Sequence, residues 1–293
     1  MSTDSIARVR RFQRAATTEI GLLDESFLGR GRPLGPARVL NAIGKGHEDV
    51  SEIRAYLRLD SGLMSRILRG LEGEGLVEVG TAPGDSRKRR VRLTEAGARE
   101  FAAYEALSDA QAAAILERHG NSERLLAAMD VVASALGRDA IEIVEVDPAD
   151  PRAQACMARY YAELAARFEQ GFDVALSCDP EADDMMRPRG SFLLAVSDEV
   201  AVGCAGLKGT DKGYGEVKRV WVDPSVRGLG LSRRLMARLE EVARELGIGV
   251  LRLDTNSALP EAVALYRRSG WSEIPRFNED PYPDLFFERV LEG

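Results

Sequence analysis

The chain has 293 residues, 45% hydrophobic and 30% charged, with a formal net charge of −7; at roughly 100–200 residues per domain, two domains are expected. This composition excludes a disordered chain and a wholly basic nucleic-acid binder, and no apolar run approaches the ~18 residues of a membrane span. Charges fill the N-terminal stretch where a secretion signal needs an apolar core, the three cysteines Cys156, Cys178 and Cys204 lack zinc-type spacing, and His47 and His119 are the only histidines; the expectation is a cytoplasmic protein with reduced thiols and no metal.

Residues 1–137 hold 20 basic and 19 acidic side chains, whereas 138–293 hold 20 and 28. The first half is predicted mainly helical. A helix is expected over Asp4–Thr18, and apolar residues recur at helical spacing in Val39–Ile43, Ile53–Leu57 and Leu63–Leu71. A strand follows at Gly75–Val79, a turn at Pro83–Ser86 and a return strand at Val91–Leu93. Thr94 can cap a helix over Glu95–Ala106, Ser108 a second, and Asn121 a third. This order describes a mainly α winged helix-turn-helix followed by a dimerisation arm.

In the helix that begins after Asp60, Leu63, Ile67, Leu68 and Leu71 can face the core. Ser61, Gly62, Ser65, Arg66 and Arg69 are left for a DNA major groove. The hairpin tip carries Arg87, Lys88, Arg89 and Arg90, plus Arg92, suited to phosphate or minor-groove contact or simply to solvent.

The second half alternates. Strands are expected at Ile141–Val146, Phe192–Ser197, Val200–Leu207, Glu216–Val222, Val250–Leu253 and Leu285–Arg289. Helices are expected at Pro151–Gly171, Leu231–Leu246 and Pro260–Ser269. This is an α/β domain with a mixed central sheet, separated from the first near Gly137–Ala140. The expected domains are therefore 1–137 and 138–293.

Between the strand ending at Val222 and the helix starting at Leu231 lies Val226-Arg227-Gly228-Leu229-Gly230-Leu231-Ser232-Arg233-Arg234. Glycines let backbone approach a ligand, and the first N–H groups of a helix point outward as donors. Arg233 and Arg234 in the first turn oppose the helix dipole, a penalty that a bound anion reverses. The pattern predicts a pyrophosphate site. Walker and Rossmann loops do not fit, since Gly-Lys-[Ser/Thr] is missing and the glycines follow a late strand.

These residues resemble the GCN5-related N-acetyltransferase (GNAT) family, whose acetyl-CoA signature is [Arg/Gln]-x-x-Gly-x-[Gly/Ala]. Arg227-x-x-Gly230-x-Ser232 departs only in its last residue. The block Ala262-Val263-Ala264-Leu265-Tyr266-Arg267-Arg268-Ser269-Gly270-Trp271 resembles the family's Ala-x-x-Leu-Tyr-x-x-x-Gly-[Phe/Tyr/Trp] motif. The resemblance covers the whole second half and implies the GNAT fold. It implies acetyl-CoA as donor, held by Val220, Trp221, Val222, Arg227, Gly228, Leu229, Gly230, Leu231, Ser232, Arg233 and Tyr266. Leu259 stands where many members carry Asn; Asn256, three residues earlier, is a further expected cofactor contact but not a simple replacement.

It further implies direct transfer to a primary amine, small molecule or lysine side chain. Tyr266 would protonate the leaving thiolate, or else pack as a core tyrosine. Glu216 is the expected general base, or else a strand carboxylate paired with Lys218 or Arg219, and Asp254 is the second candidate. Glu216, Asp254, Glu279, Asp280 and Asp284 could make a negative site favouring a cationic acceptor, or could be solvated surface. Loops Phe172–Gly190 and Pro275–Pro283 should carry specificity.

In the first half, Ser65-Arg66, Asp85-Ser86-Arg87 and Leu93-Thr94-Glu95-Ala96-Gly97 resemble the MarR family of winged-helix regulators. That resemblance implies a homodimer, paired through Asp4–Thr18, Ser108–His119 and Asn121–Leu136, on double-stranded DNA read by Ser61, Ser65, Arg66, Arg69, Arg87, Lys88, Arg89 and Arg90. Gly62 and Gly70 depart from a good recognition helix, each costing up to about 1 kcal/mol against alanine. The expected protein is an N-acetyltransferase fused to a transcriptional regulator; the alternative is a regulator whose second domain only senses acetyl-CoA or an amine.

Overall fold

The computed structural model describes residues 3–82, 85–177 and 183–291. Contacts divide the chain into two units, Met1–Ser122 and Glu123–Gly293. The first contains α1 (Thr3–Ile20), α2 (Leu34–Gly44), α3 (Val50–Tyr56), α4 (Ser61–Gly73), the antiparallel hairpin of β1 (Val77–Ala82) and β2 (Asp85–Leu93), and α5 (Glu95–Glu117). Helix α6 (Ser122–Leu136) follows and is grouped with the second unit.

Leu40, Ile53, Met64, Leu68, Leu71 and Val91 fill the first unit's core. Asp49 and Asp60 cap α3 and α4, accepting from the backbone N–H groups of Ser51 and Leu63 at 2.7 and 2.8 Å. Thr94 caps α5 through Gly97 N–H and also donates its hydroxyl to Gly75 O at 2.7 Å. Gly97 packs so tightly on Leu76 that a Cβ there would lie 1.9 Å from its carbonyl oxygen. The expected break at Ser108 does not occur. Leu107-Ser108-Asp109 contains neither Gly nor Pro, and the alanines that follow favour continuing, so α5 runs unbroken for 23 residues.

The second unit comprises, after α6, β3 (Glu142–Val146), α7 (Pro151–Arg167), β4 (Ser191–Ser197), β5 (Val200–Gly209), β6 (Gly215–Val222), α8 (Leu231–Glu245), β7 (Val250–Thr255), α9 (Pro260–Arg268), β8 (Ser272–Glu273) and β9 (Leu285–Val290). The described strands form one sheet in the order β3-β4-β5-β6-β7-β9-β8, antiparallel except where β6 meets β7. On β4, Phe192 and Leu194 pack with α7 residues Ala153, Cys156 and Met157, while Leu193 and Ala195 pack with α8 residues Leu235 and Leu239. Both faces are covered, so β4 reads as a continuous apolar run. Cys156 and Cys204 lie in this core; Cys178 falls outside the described residues.

One irregularity positions the site. Arg219, within β6, has a left-handed φ of 55°, and the register with β5 shifts there. Pairing of β6 with β7 is confined to Gly215–Val217 against Leu251–Leu253. Beyond Val217 the two strands part, and a cleft opens between them. Among the described residues, no helix is long and apolar enough to cross a membrane, and no group of His, Cys, Asp or Glu is arranged to hold a metal ion.

Candidate active site and candidate DNA-contacting face

Helix α8 forms because Leu231, Leu235, Leu239 and Val242 make one buried stripe. Its start is shaped by Gly228 and Gly230, both at φ +79°, a conformation that costs other residues roughly 1–2 kcal/mol. A Cβ on either glycine would meet nothing within 4 Å, so the loop's ligand-side surface is open. A groove of about 1250 Å³ runs along it. Val220, Trp221 and Val222 line one side, and Arg227, Gly228, Gly230, Leu231, Ser232 and Arg233 the loop. Arg268 also lines it, and among the described residues neither Arg233 nor Arg268 has an ion-pair partner.

Two expected cofactor contacts lie elsewhere. Leu229 turns its apolar side chain onto the core instead of into the groove. Asn256 lines a second cavity, where its Nδ2 donates to Tyr282 O at 2.6 Å and its Oδ1 accepts from Ala258 N–H at 2.8 Å. Its amide holds a loop.

Glu163 on α7 has no counterpart in the sequence expectations. Its carboxylate accepts from Trp221 Nε1 at 2.8 Å, from Arg227 at 2.6 Å and from Arg167 at 3.1 Å. Arg227 also donates to Val222 O at 3.0 Å. Its guanidinium therefore ties the glycine loop to β6 and α7. Burial raises the Glu163 pKa, but the bonds from Arg227 and Trp221 outweigh that and hold it below the ordinary carboxylate value. The only sequence sign was its i,i+4 spacing to Arg167, which marks an ordinary helix surface pair.

The second cavity, about 820 Å³, lies where β6 and β7 diverge. Tyr160, Leu164, Val220, Leu259, Ala262 and Tyr266 line both it and the groove. Tyr266 is 5% exposed, and burial, then the negative charge of Asp254, raises its pKa above the ordinary tyrosine value.

Glu216 does not reach this cavity. It is 4% exposed, lines neither space, and lies 3.4 Å from Lys218 Nζ. Lys218 in turn pairs with Asp254 at 2.7 Å, and Asn278 Nδ2 donates to the same carboxylate at 2.5 Å. Glu216 and Lys218 share a face of β6 by the two-residue strand period, but the bulge and splay bring the end of β7 to the cavity. Asp254, the second candidate, lines it, as does Asp280. The expected acidic cluster is dispersed as well. Glu279 and Asp284 line neither space, and Asp284 accepts from Ser257 N–H and Oγ–H at 2.7 and 2.5 Å.

In the first unit, α4 buries Met64, Ile67, Leu68 and Leu71, with Leu63 half-buried. Ser61, Arg66 and Arg69 are exposed and Ser65 is half-buried; Arg69 Nε donates to Ser65 O at 3.2 Å. Along β2, Lys88 and Arg89 are exposed, whereas Arg90 and Arg92 pair with Glu48 at 3.1 and 2.8 Å. The wing's positive charge is thus partly neutralised by the loop before α3. The side chain of Arg87, and the turn at Pro83 and Gly84, fall outside the described residues. Ile6, Val9 and Phe12 of α1 are exposed, as are Leu126, Met129 and Val131 of α6.

The GNAT acetyltransferase family model matches residues 157–271. The chain is 39% identical over 112 residues to an IAA acetyltransferase of Azospirillum brasilense, spanning 36% of this chain and 72% of that one. The chain belongs to the GNAT acetyltransferase family. It is an N-acetyltransferase using acetyl-CoA. The MarR family model matches residues 31–88, so a MarR domain precedes the acetyltransferase. Among solved structures, a GNAT-family acetyltransferase from Staphylococcus aureus aligns with a TM-score of 0.46 and 22% identity, over 52% of this chain and 99% of that one. Streptococcus pneumoniae FabT, solved in complex with DNA, aligns with a TM-score of 0.38 and 19% identity, over 46% and 96%.

Proposed function

We propose that residues 138–293 transfer an acetyl group directly from acetyl-CoA to a primary amine, and that residues 1–137 bind double-stranded DNA as a homodimer. The observation that carries the transfer reading is the meeting of two spaces at Tyr266 and Val220. A donor in one and an acceptor in the other share these residues. The groove fits a pyrophosphate-bearing donor: open glycines, outward helix N–H groups, and Arg233 and Arg268, which have no ion-pair partner among the described residues, all favour an anion.

Only a neutral amine attacks a thioester, and an amine of pKa near 10.4 is about 0.04% neutral at pH 7. Asp254, held by Lys218 and Asn278, takes the amine proton as the N–C bond forms. The Val220 N–H stabilises the developing oxyanion. As the C–S bond breaks, Tyr266 gives its proton to the sulfur and regains one from solvent. Glu216 supports Lys218 from behind. A cysteine nucleophile has no part, since Cys204 is core.

For DNA, the exposed Ser61, Arg66 and Arg69 support a recognition helix and Lys88 and Arg89 a wing. The exposed apolar faces of α1 and of α6 support pairing with a second copy. The decisive experiment is CoA release from acetyl-CoA across a panel of amines. Turnover with one amine class, lost in Asp254→Asn, supports the reading. Acetyl-CoA binding with no turnover for any amine overturns it in favour of a sensor domain.

A further inference from the structure

We propose that the acceptor is an arylalkylamine, a primary amine on a short chain ending in an aromatic ring; this rests on the acetyl-transfer reading above. Six aromatic side chains line the acceptor cavity, Tyr266 where it meets the groove and five beyond it: Tyr160, Tyr161, Phe168, Phe172 and Tyr282. These five form one connected set. Tyr161 lies 5.5 Å from Tyr160 and 5.6 Å from Phe172, and Phe172 lies 4.7 Å from Tyr282, between ring centroids. Phe168 is 6.1 Å from both Phe172 and Tyr282. These spacings are those of offset and edge-to-face aromatic packing, and the ring surfaces that line the cavity offer a ligand ring the same contacts.

The cavity's charges balance. Lys218 and Arg219 supply two cations, Asp254 and Asp280 two acids. Asp254 bonds Lys218 at 2.7 Å, and Asp280 accepts from Tyr282 N–H at 3.1 Å. A polyamine entering here would have to desolvate several charges with no net negative field to receive them. One amine, delivered to Asp254, is the charge the walls can accept, and the rest of the ligand meets rings and aliphatic carbons.

Tyr282 donates its hydroxyl to Asp173 O at 3.1 Å and accepts from Asp173 N–H at 2.9 Å, joining the two loops that bound the cavity.

The test uses the full chain. Phenethylamine and spermidine binding are measured by calorimetry in the presence of CoA, and initial rates with acetyl-CoA are measured for phenethylamine, tryptamine, spermidine and a lysine peptide. Phe172→Ala and Phe172→Leu are carried alongside. Phe172 does not line the CoA groove, so an unchanged acetyl-CoA affinity certifies folding. The expected result is a kcat/KM for the arylalkylamines at least about tenfold above spermidine. Phe172→Ala should raise the phenethylamine KM about tenfold, partly restored in Phe172→Leu. Preference for spermidine or the peptide, or phenethylamine binding indifferent to Phe172, overturns the proposal while acetyl transfer stands. Phe172-dependent binding of phenethylamine without turnover keeps the cavity assignment and sinks the transfer reading. Neither binding nor turnover sinks both.

Discussion

Replacing Tyr266 with phenylalanine removes one oxygen from the point where groove and cavity meet. The ring packs on Trp271 and Phe287 at centroid distances of 6.1 and 5.8 Å, and phenylalanine keeps those contacts. Among the described residues the hydroxyl has no hydrogen-bond partner, so the variant's stability should stay within about 1 kcal/mol of the parent. The chemical cost is larger. A thiolate with pKa about 8.5 released at pH 7 lies about 2 kcal/mol above its thiol, and a positioned general acid contributes roughly 10²–10⁴ in rate. The expected loss is at least about a hundredfold in kcat, with the KM for acetyl-CoA within about threefold. The pH dependence separates this role from others. Burial and the Asp254 charge raise the Tyr266 pKa, so the group stays protonated below that raised value, across the whole range from about pH 6 to 9.5. The ratio of parent to variant rates should therefore be flat over that range, read as initial rates of thiol release. A loss under threefold, or a ratio that collapses in mild alkali, would refute the proton-donor role.

Glu163→Gln keeps the shape of the three-way junction but removes its charge; the acetyl-CoA KM should rise about tenfold with kcat changed far less, since charge-assisted bonds are worth roughly 1.5–3 kcal/mol. Equal losses in kcat and kcat/KM would show that Glu163 acts on the chemistry instead. Gly97→Ala places a methyl 1.9 Å from Leu76 O, so urea or thermal unfolding should show the first unit destabilised by about 3 kcal/mol or more; an unchanged midpoint would mean that α5 can shift freely. The double change Lys88→Ala with Arg89→Ala should lower the slope of log K for DNA against log salt by about 1.8, whereas Arg90→Ala, already paired with Glu48, should lower it less. A fall of about 0.9 from Arg90→Ala, the full value for one phosphate contact, would show that Glu48 releases that arginine on DNA.

Local pattern carried most of the fold. The apolar stripe of α8, the glycines before it and the Leu93–Gly97 capping run are all local, and each has its cause within a few residues. Ser108 has the chemistry of a helix cap, but nothing around it stops a helix, and α5 runs through it. What the sequence hid is what depends on strand order and splay. Glu216 and Asp254 are 38 positions apart, and only the parallel pairing of Glu216 with Arg252 places them on either side of Lys218. Phe172 and Tyr282 lie still further apart and meet only because two loops cross over the same cavity.

The second half's acidity shows most plainly where counting misleads. Its excess of acids suggested a negative pocket, yet many of those acids are bound to arginines away from the cavity. Glu145 and Glu245 both hold Arg187, Glu288 holds Arg252, and Glu240 holds Arg289. Net charge sets the long-range field that steers an approaching ligand, but within a few ångströms the lining decides what is retained. Around the cavity where β6 and β7 diverge, the lining has two acids, two bases and six rings. A cation can thus be drawn toward this unit by its overall charge and still be rejected unless it brings an apolar body. On that reasoning, added salt should slow the capture of a charged amine while leaving the preference among amines of equal charge intact, because that preference is written in the rings.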